Sequence, residues 1–243
     1  MPVPVGRGEV QALLAQGALL VDVMDPAEFA RSHLPGAVNV PLAELTGETF
    51  AALDDDRPVI VYGAGLSCDR GPRAARILEH NGFTDVHDYE AGKEDWLAYG
   101  LPFAGDGTVL AVHLLDPCLR APEDELSSSL LDRMNAHGEN TAVIVDAGDI
   151  VMGTVERSAL EPLTEPVAAG SLADPDPLTA RPSELASSLG ELLARSGRPH
   201  AFITTSSGRL LGQVSADRLQ DTEAVPPSST DEAASLAPLA AAG

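Results

Sequence analysis

The sequence is short of cations. Its 243 residues carry 15 Lys and Arg against 37 Asp and Glu, a formal net charge of -22. Duplex nucleic acid is held by clustered cations that neutralise phosphates, so this balance excludes a duplex binder. It argues equally against a polybasic membrane anchor. Lys93 is the single lysine. Aromatic residues are scarce at 4%, so the core implied by a 44% hydrophobic content is mostly Leu, Val and Ala. No apolar run approaches the roughly 18 residues of a membrane-spanning helix. Residues 1–5 have neither a basic stretch nor an apolar one, so no signal peptide is expected. Two cysteines, Cys68 and Cys118, are too few for a disulfide framework. Cys118 has no Cys or His at ligand spacing and reads as a small buried residue, so no metal is expected. These absences describe a cytoplasmic protein with free thiols and with neither nucleic acid nor membrane as partner.

What is present divides into two unlike halves, as a length near two small domains allows. The first hundred residues alternate short helices with buried strands. A helix over 9–16 is closed by Gly17, and Leu19-Leu20-Val21-Asp22-Val23 reads as a strand. Asp25-Pro26 opens a second helix, with Asp25 as the expected N-cap. Pro58-Val59-Ile60-Val61-Tyr62 is a second strand, followed by a ten-residue loop over 63–72 and a helix over about 73–80. Val86-His87-Asp88-Tyr89 is a third. Strands and helices alternating at this spacing imply a parallel sheet with helices on both faces.

The second half repeats itself. A constant offset of 59 lays residues 125–160 on 184–219 without a gap, matching Leu130 to Leu189, Gly138 to Gly197, Ile144 to Ile203 and Gly153 to Gly212. Upstream, an offset of 60 lays Asp116-Pro117 on Asp176-Pro177. Each unit reads as helix, strand, turn, strand and final helix. The residues from about Thr222 to Gly243 lack periodicity and are expected to be disordered.

Chemistry in an open parallel sheet belongs at the carboxyl ends of the strands. Here that is the loop after Tyr62, where Gly63, Ala64, Gly65, Leu66, Ser67, Cys68 and Asp69 lead to Arg70 and Arg73. Backbone N–H groups in such a loop can hold an anion, and a thiolate there is stabilised. Taken locally, Cys68 reads as a small residue in a glycine-rich connector; a reactive thiol is the alternative. Further motifs change the weight. Val21-Asp22-Val23, Glu28-Phe29, His33-Leu34-Pro35-Gly36-Ala37-Val38-Asn39-Val40-Pro41, Gly82-Phe83, and Gly92 with Trp96 and Gly100-Leu101-Pro102 resemble the rhodanese-like domain over about residues 6–104. The resemblance implies a small α/β domain of the sulfurtransferase family, whose active members carry sulfane sulfur as a cysteine persulfide. It also implies a structural, backbone-bonded role for His33 and a core role for Trp96. In the family's two-cysteine loop the nucleophile directly follows the tyrosine and a second cysteine comes five residues later. Gly63 stands at the first position and Cys68 at the second, while Met24 replaces the arginine expected after Asp22-Val23.

The repeat resembles a degenerate tandem pair of CBS (cystathionine-β-synthase-like) domains over about 107–221, with units near 107–164 and 165–221. The residues that carry this are Ala142-Val143-Ile144-Val145-Asp146 with Gly153-Thr154-Val155, and Ala201-Phe202-Ile203-Thr204 with Gly212-Gln213-Val214-Ser215. The implied arrangement is a pseudo-two-fold α/β pair that dimerises or binds an adenosine nucleotide: AMP, ATP or S-adenosylmethionine. Ala159 and Arg218 stand where the family's ribose-binding aspartate would be, so neither acid is in place. Thr179, His200, Ser215, Asp217 and Arg218 are the nucleotide-binding candidates.

These readings lean away from an enzyme. With glycine at the nucleophile position, the sequence predicts a regulatory or binding protein: an inactive rhodanese-like domain, able to take a small anion or sulfur compound, joined to an effector-binding or homodimerising CBS-like module. The alternatives are a sulfurtransferase carrying its persulfide on Cys68, and a structural adaptor without ligand.

Overall fold

The structure is a computed structural model and describes residues 1–53 and 56–223. All but the first two residues of the expected disordered tail lie outside the described residues.

The N-terminal half consists of β1 (Val3–Pro4), α1 (Arg7–Ala15), β2 (Leu19–Asp22), α2 (Pro26–Arg31), β3 (Val38–Asn39), α3 (Gly47–Ala52), β4 (Val59–Tyr62), α4 (Arg70–His80), β5 (Val86–Tyr89) and α5 (Gly92–Ala98). Its five strands form one sheet in the order β1-β5-β4-β2-β3, with every pairing parallel. The strand sequences alternate faces with period two. Val21, Val23, Val59 and Val61 pack with Ala74, Ala75 and Leu78 of α4. Leu20, Ile60 and Tyr62 pack on the other side with Val10 of α1, Leu34 and Trp96 of α5. β4 is central and fully buried, as its unbroken apolar run requires.

Two local expectations need correction. Asp25 stands at the N-cap of α2 but makes no side-chain cap bond; its carboxylate turns instead to Arg70, 3.0 Å away. Helix α4 begins at Arg70 and not near Arg73, so the loop is 63–69. Pro72 falls in the helix's first turn, where its missing N–H costs no intrahelical bond. Helices α3 and α5, strand β1, and the short strands Leu119–Pro122 and Thr179–Ala180 of the second half are additions to the elements read from the sequence.

The repeated half contains β6 (Leu119–Pro122), α6 (Ser127–His137), β7 (Thr141–Val145), β8 (Val151–Glu156), α7 (Arg157–Leu160), β9 (Thr179–Ala180), α8 (Ala186–Ser196), β10 (His200–Thr204), β11 (Leu210–Ser215) and α9 (Ala216–Glu223). It forms two three-stranded sheets, β6-β7-β8 and β9-β10-β11, each with one parallel and one antiparallel pairing. Helices α6 and α8, strands β7 and β10, and strands β8 and β11 begin 59 residues apart, and Gly138 and Gly197 end the two helices in the same left-handed conformation. The register slip between Ile144 and Val145 recurs between Ile203 and Thr204.

The units exchange their leading segments. Ala111 and Leu114 pack in the core of the second unit, against Leu189, Leu193 and Ile203. Ala169 and Leu172 pack in the core of the first, against Leu130, Met134 and Ile144. Asp116 pairs through its backbone with Gln213, at 2.9 Å in both directions, and Asp174 pairs likewise with Thr154. This sets Asp116 equivalent to Asp174, not to Asp176, which corrects the offset of 60 read upstream. Val143 and Val145 meet Phe202 and Leu210 in a shared core between the units.

Candidate functional site

The loop 63–69 leaves the buried end of β4 and closes onto the first turn of α4. It is held from below by α5, whose first backbone N–H groups donate to it: Lys93 N to the Gly63 carbonyl at 3.1 Å and Glu94 N to the Ala64 carbonyl at 2.8 Å. Gly92 makes this approach possible. Its φ is +59°, and a Cβ there would lie 2.5 Å from the Gly63 oxygen. Cys68 N donates to the Gly65 carbonyl at 2.8 Å, turning the cysteine back over the loop.

That turn decides where the thiol lies. A Cβ at position 63 would sit 2.9 Å from Cys68 Sγ and 3.5 Å from the backbone N of Gly71. The Cys68 sulfur therefore fills the space that a side chain on residue 63 would take, beside the first turn of α4. Glycine at 63 is what admits it. Cys68 is half-buried, and Met24 Sδ lies 4.0 Å from its sulfur. Leu66, Ser67 and Asp69 are exposed around it, while Gly63 and Gly65 are buried.

The arginines are tied down. Arg70 bridges α4 to Asp25 at 3.0 Å and to Glu28 at 3.7 Å, and it also faces Cys68 electrostatically. Arg73 pairs with Asp69 at 3.5 Å. His33 donates through Nδ1 to the Phe29 carbonyl at 2.8 Å and stacks on the Phe29 ring. Trp96 Nε1 donates to the Pro102 carbonyl at 2.7 Å.

Beneath the loop lies a layer of buried ionisable groups. Asp22 accepts from Met24 N at 2.8 Å, and burial pushes its carboxyl up. Lys93 donates to the Ser32 carbonyl at 2.9 Å, and burial pushes its ammonium down while Asp22 opposes that fall. Asp88 Oδ1 has no hydrogen-bond partner and would lie 3.1 Å from a Cβ on Gly71. Burial, with Glu90 adding to it, raises Asp88 to about 6. Glu94 Oε2 is likewise unpartnered, against Gly65, and burial raises its carboxyl. Residue types alone gave no sign of Asp88 or Glu94, because only the sheet and α5 bring them under the loop.

The rhodanese-like domain profile matches residues 7–99. Over 91 residues the chain is 38% identical to the thiosulfate sulfurtransferase GlpE of Pseudomonas syringae pv. syringae, covering 36% of this chain and 80% of that enzyme. The chain belongs to the rhodanese-like family. It is also 39% identical over 83 residues to the HTH-type transcriptional regulator Rv0324 of Mycobacterium tuberculosis, covering 34% of this chain and 36% of that protein. This rhodanese-like chain thus spans about a third of that regulator's length. The CBS-pair protein CBSX2 of Arabidopsis thaliana, solved in complex with AMP, covers 49% of this chain and 93% of its own at 16% identity, with a TM-score of 0.40. The reciprocal exchange and internal repeat described above give the C-terminal half its CBS-pair-like form.

The expectation of a rhodanese-like domain disabled at Gly63 is overturned. Several relatives matched over about four fifths of their own length are thiosulfate sulfurtransferases, and a cysteine is retained in the loop. Its sulfur reaches the space beside residue 63 by the turn through Gly65. Counting positions along the loop missed this, because the fold of the loop and not its numbering sets where the sulfur lies.

The nucleotide candidates are not brought into one place. His200 lines a cleft of about 220 Å³ between the units, with Arg198, Thr154, Glu156 and Asp174. Ser215 stands opposite His200 in the β10–β11 register, and its Oγ accepts from Arg218 N at 3.2 Å, capping α9. Asp217 and Arg218 are exposed on that helix. Thr179 lines a different cleft of about 280 Å³, with Arg181, Asp176, Thr204 and Gly208. Cys118 is half-buried beside the shared core; burial raises its thiol and Arg120 opposes the rise. No helix among the described residues is long and apolar enough to cross a membrane.

Proposed function

We propose that this protein is a cysteine-dependent sulfurtransferase that carries sulfur on Cys68. The observation that carries the reading is the place of the Cys68 sulfur: half-buried, above the glycine of residue 63, beside the N-terminal turn of an eleven-residue helix. The backbone N–H groups of a helix's first turn favour negative charge. With thiosulfate as donor, the Cys68 thiolate attacks the outer sulfur. A sulfur–sulfur bond forms on the protein as the one in thiosulfate breaks, and sulfite leaves with the electron pair. A nucleophilic acceptor then takes the outer sulfur, and the Cys68 thiolate is restored. The names of the similar sulfurtransferases support thiosulfate as donor. The loop 63–69, with Arg70 and Arg73 anchoring α4, forms the anion-holding frame.

Intact-mass spectrometry after incubation with thiosulfate tests the reading. Wild type is expected to gain about 32 Da, removable by reductant, and Cys68→Ser to gain nothing. An unmodified wild type sinks it.

The division follows the two unlike halves, with a sulfur-transfer domain over 6–104 and a CBS-like pair over 107–221. We assign the pair an effector role. Its inter-unit cleft, with Arg198 and a half-buried His200 that desolvation keeps toward the neutral form, suits an adenosine nucleotide. Thermal-shift titration with AMP, ATP and S-adenosylmethionine checks this, and flat curves at millimolar ligand remove it.

A further inference from the structure

Helix α5 touches both halves of the molecule. Its first turn holds the Cys68 loop through Lys93 N and Glu94 N. Just past its last turn, the Tyr99 ring is covered by Arg7, whose guanidinium is 3.1 Å from the ring centroid, and approached by Arg209 at 5.0 Å. Arg209 belongs to the turn between β10 and β11. That turn is closed on itself: Thr205 N donates to the Arg209 carbonyl at 2.9 Å, and Arg209 N donates to Thr205 Oγ1 at 3.0 Å.

The same turn forms one wall of the second inter-unit cleft. Arg181 reaches it from β9's end, donating to Thr204 Oγ1 at 2.7 Å and to the Thr204 and Thr205 carbonyls. All three acceptors are neutral, and among the described residues no carboxylate lies at ion-pair distance from Arg181. Asp176, in the same cleft, is taken up by Arg198 at 3.7 Å. Thr179 adds an exposed hydroxyl. A half-buried guanidinium with no carboxylate at ion-pair distance, in a cleft of about 280 Å³, is unusual on a chain of net charge -22. Its chemistry is that of an oxyanion receptor, because the planar fork offers paired N–H donors. Arg181 also faces Glu94 under the Cys68 loop and opposes the rise that burial imposes on that carboxyl. An oxyanion at Arg181 would draw on the charge that Glu94 otherwise sees.

We propose that the cleft at Arg181 takes a small oxyanion, and that helix α5 carries its occupancy to Cys68 through the Arg209–Tyr99 contact. The regulatory meaning rests on Cys68 as the sulfur carrier, but the binding and the coupling do not.

The test uses the full chain and inorganic phosphate, with AMP and adenosine as further arms. Binding is read by thermal shift. Coupling is read as the alkylation rate of Cys68 by iodoacetamide, followed on its own peptide so that Cys118 does not interfere. Saturating phosphate is expected to change that rate about fivefold, the lower end of ordinary coupling. Arg181→Gln should abolish both the shift and the rate change. Where that variant folds poorly, Arg181→Lys, which keeps the charge without the fork, should bind about tenfold more weakly. Arg209→Gln should keep phosphate binding and lose the rate change. If AMP acts like phosphate and adenosine does nothing, the recognised group is a nucleotide's phosphate; if AMP does nothing, it is a free oxyanion. Phosphate binding that survives in Arg181→Gln, stabilisation by adenosine alone, or a rate change that survives in Arg209→Gln overturns the proposal. Loss of the thiosulfate adduct with these results intact would sink the sulfurtransferase reading and leave this one standing.

Discussion

In the N-terminal half, Gly63, Gly65 and Gly92 gather around one loop, whereas in the repeated half Gly153 and Gly212 form a pair 59 residues apart; Gly105, against the Arg31 carbonyl, and Gly170, against Glu123, belong to neither group. Gly63, Gly65 and Gly92 surround Cys68, and a Cβ on any of them would collide with sulfur, carboxylate or backbone. Gly153 and Gly212 occupy matching places on β8 and β11. A Cβ there would lie 2.6 Å from the Asp174 carbonyl and 2.7 Å from the Asp116 carbonyl. One half uses glycine to make room for a thiol, and the other uses it to let two backbones meet. The difference separates a site from an interface: single, clustered demands mark chemistry, and symmetric, repeated demands mark assembly.

The sharpest way to break this comparison is to fill position 63. Gly63→Ala places a methyl 2.9 Å from Cys68 Sγ, so the sulfur must move. Positioning errors of about 1 Å cost about a hundredfold in rate, and that loss of sulfur-transfer turnover is the expected result, with Tm little changed. Unchanged turnover would mean that the thiol works from another place.

The repeated half gives the counterpart. Gly153→Ala and Gly212→Ala should each destabilise by about 1–3 kcal/mol, because the crossing backbone has no flexible end to yield. Equal losses in chemical denaturation, with persulfide formation at Cys68 retained, would sharpen the contrast. A loss at one site only would break the symmetry argument.

The smallest effect comes from the buried carboxyl beneath the loop. Asp88 is raised from its ordinary 3.8 to about 6. The folded state therefore holds a proton there that the unfolded state has released. Stability is full below about pH 4 and falls as pH rises toward 6. Asp88→Asn should raise Tm at pH 7 by a few degrees and change little below pH 4. A wild-type Tm that rises with pH across that window, once compared with Asp88→Asn, would reverse the sign.

Much of the fold was legible in the residues. Near-continuous apolar runs such as Leu19-Leu20-Val21-Asp22-Val23 specify buried parallel strands, because both faces of the sheet must be covered. The repeat was legible through glycines and core residues at one offset, and it set helix, strand and turn in register. Helix α5 was less so, since Gly92-Lys93-Glu94-Asp95 carries charge into a buried first turn, against the usual pattern.

By itself, then, the sequence determined the parallel α/β half, the paired second half and the loop that carries Cys68, because hydrophobic period and turn residues act locally. Tertiary structure alone decided that the Cys68 sulfur fills the space beside Gly63. It alone exchanged the leading segments of the units and laid Asp88, Lys93 and Glu94 under the loop. These depend on where separate elements meet, and a linear count of residues carries no information about the angle at which a chain turns back.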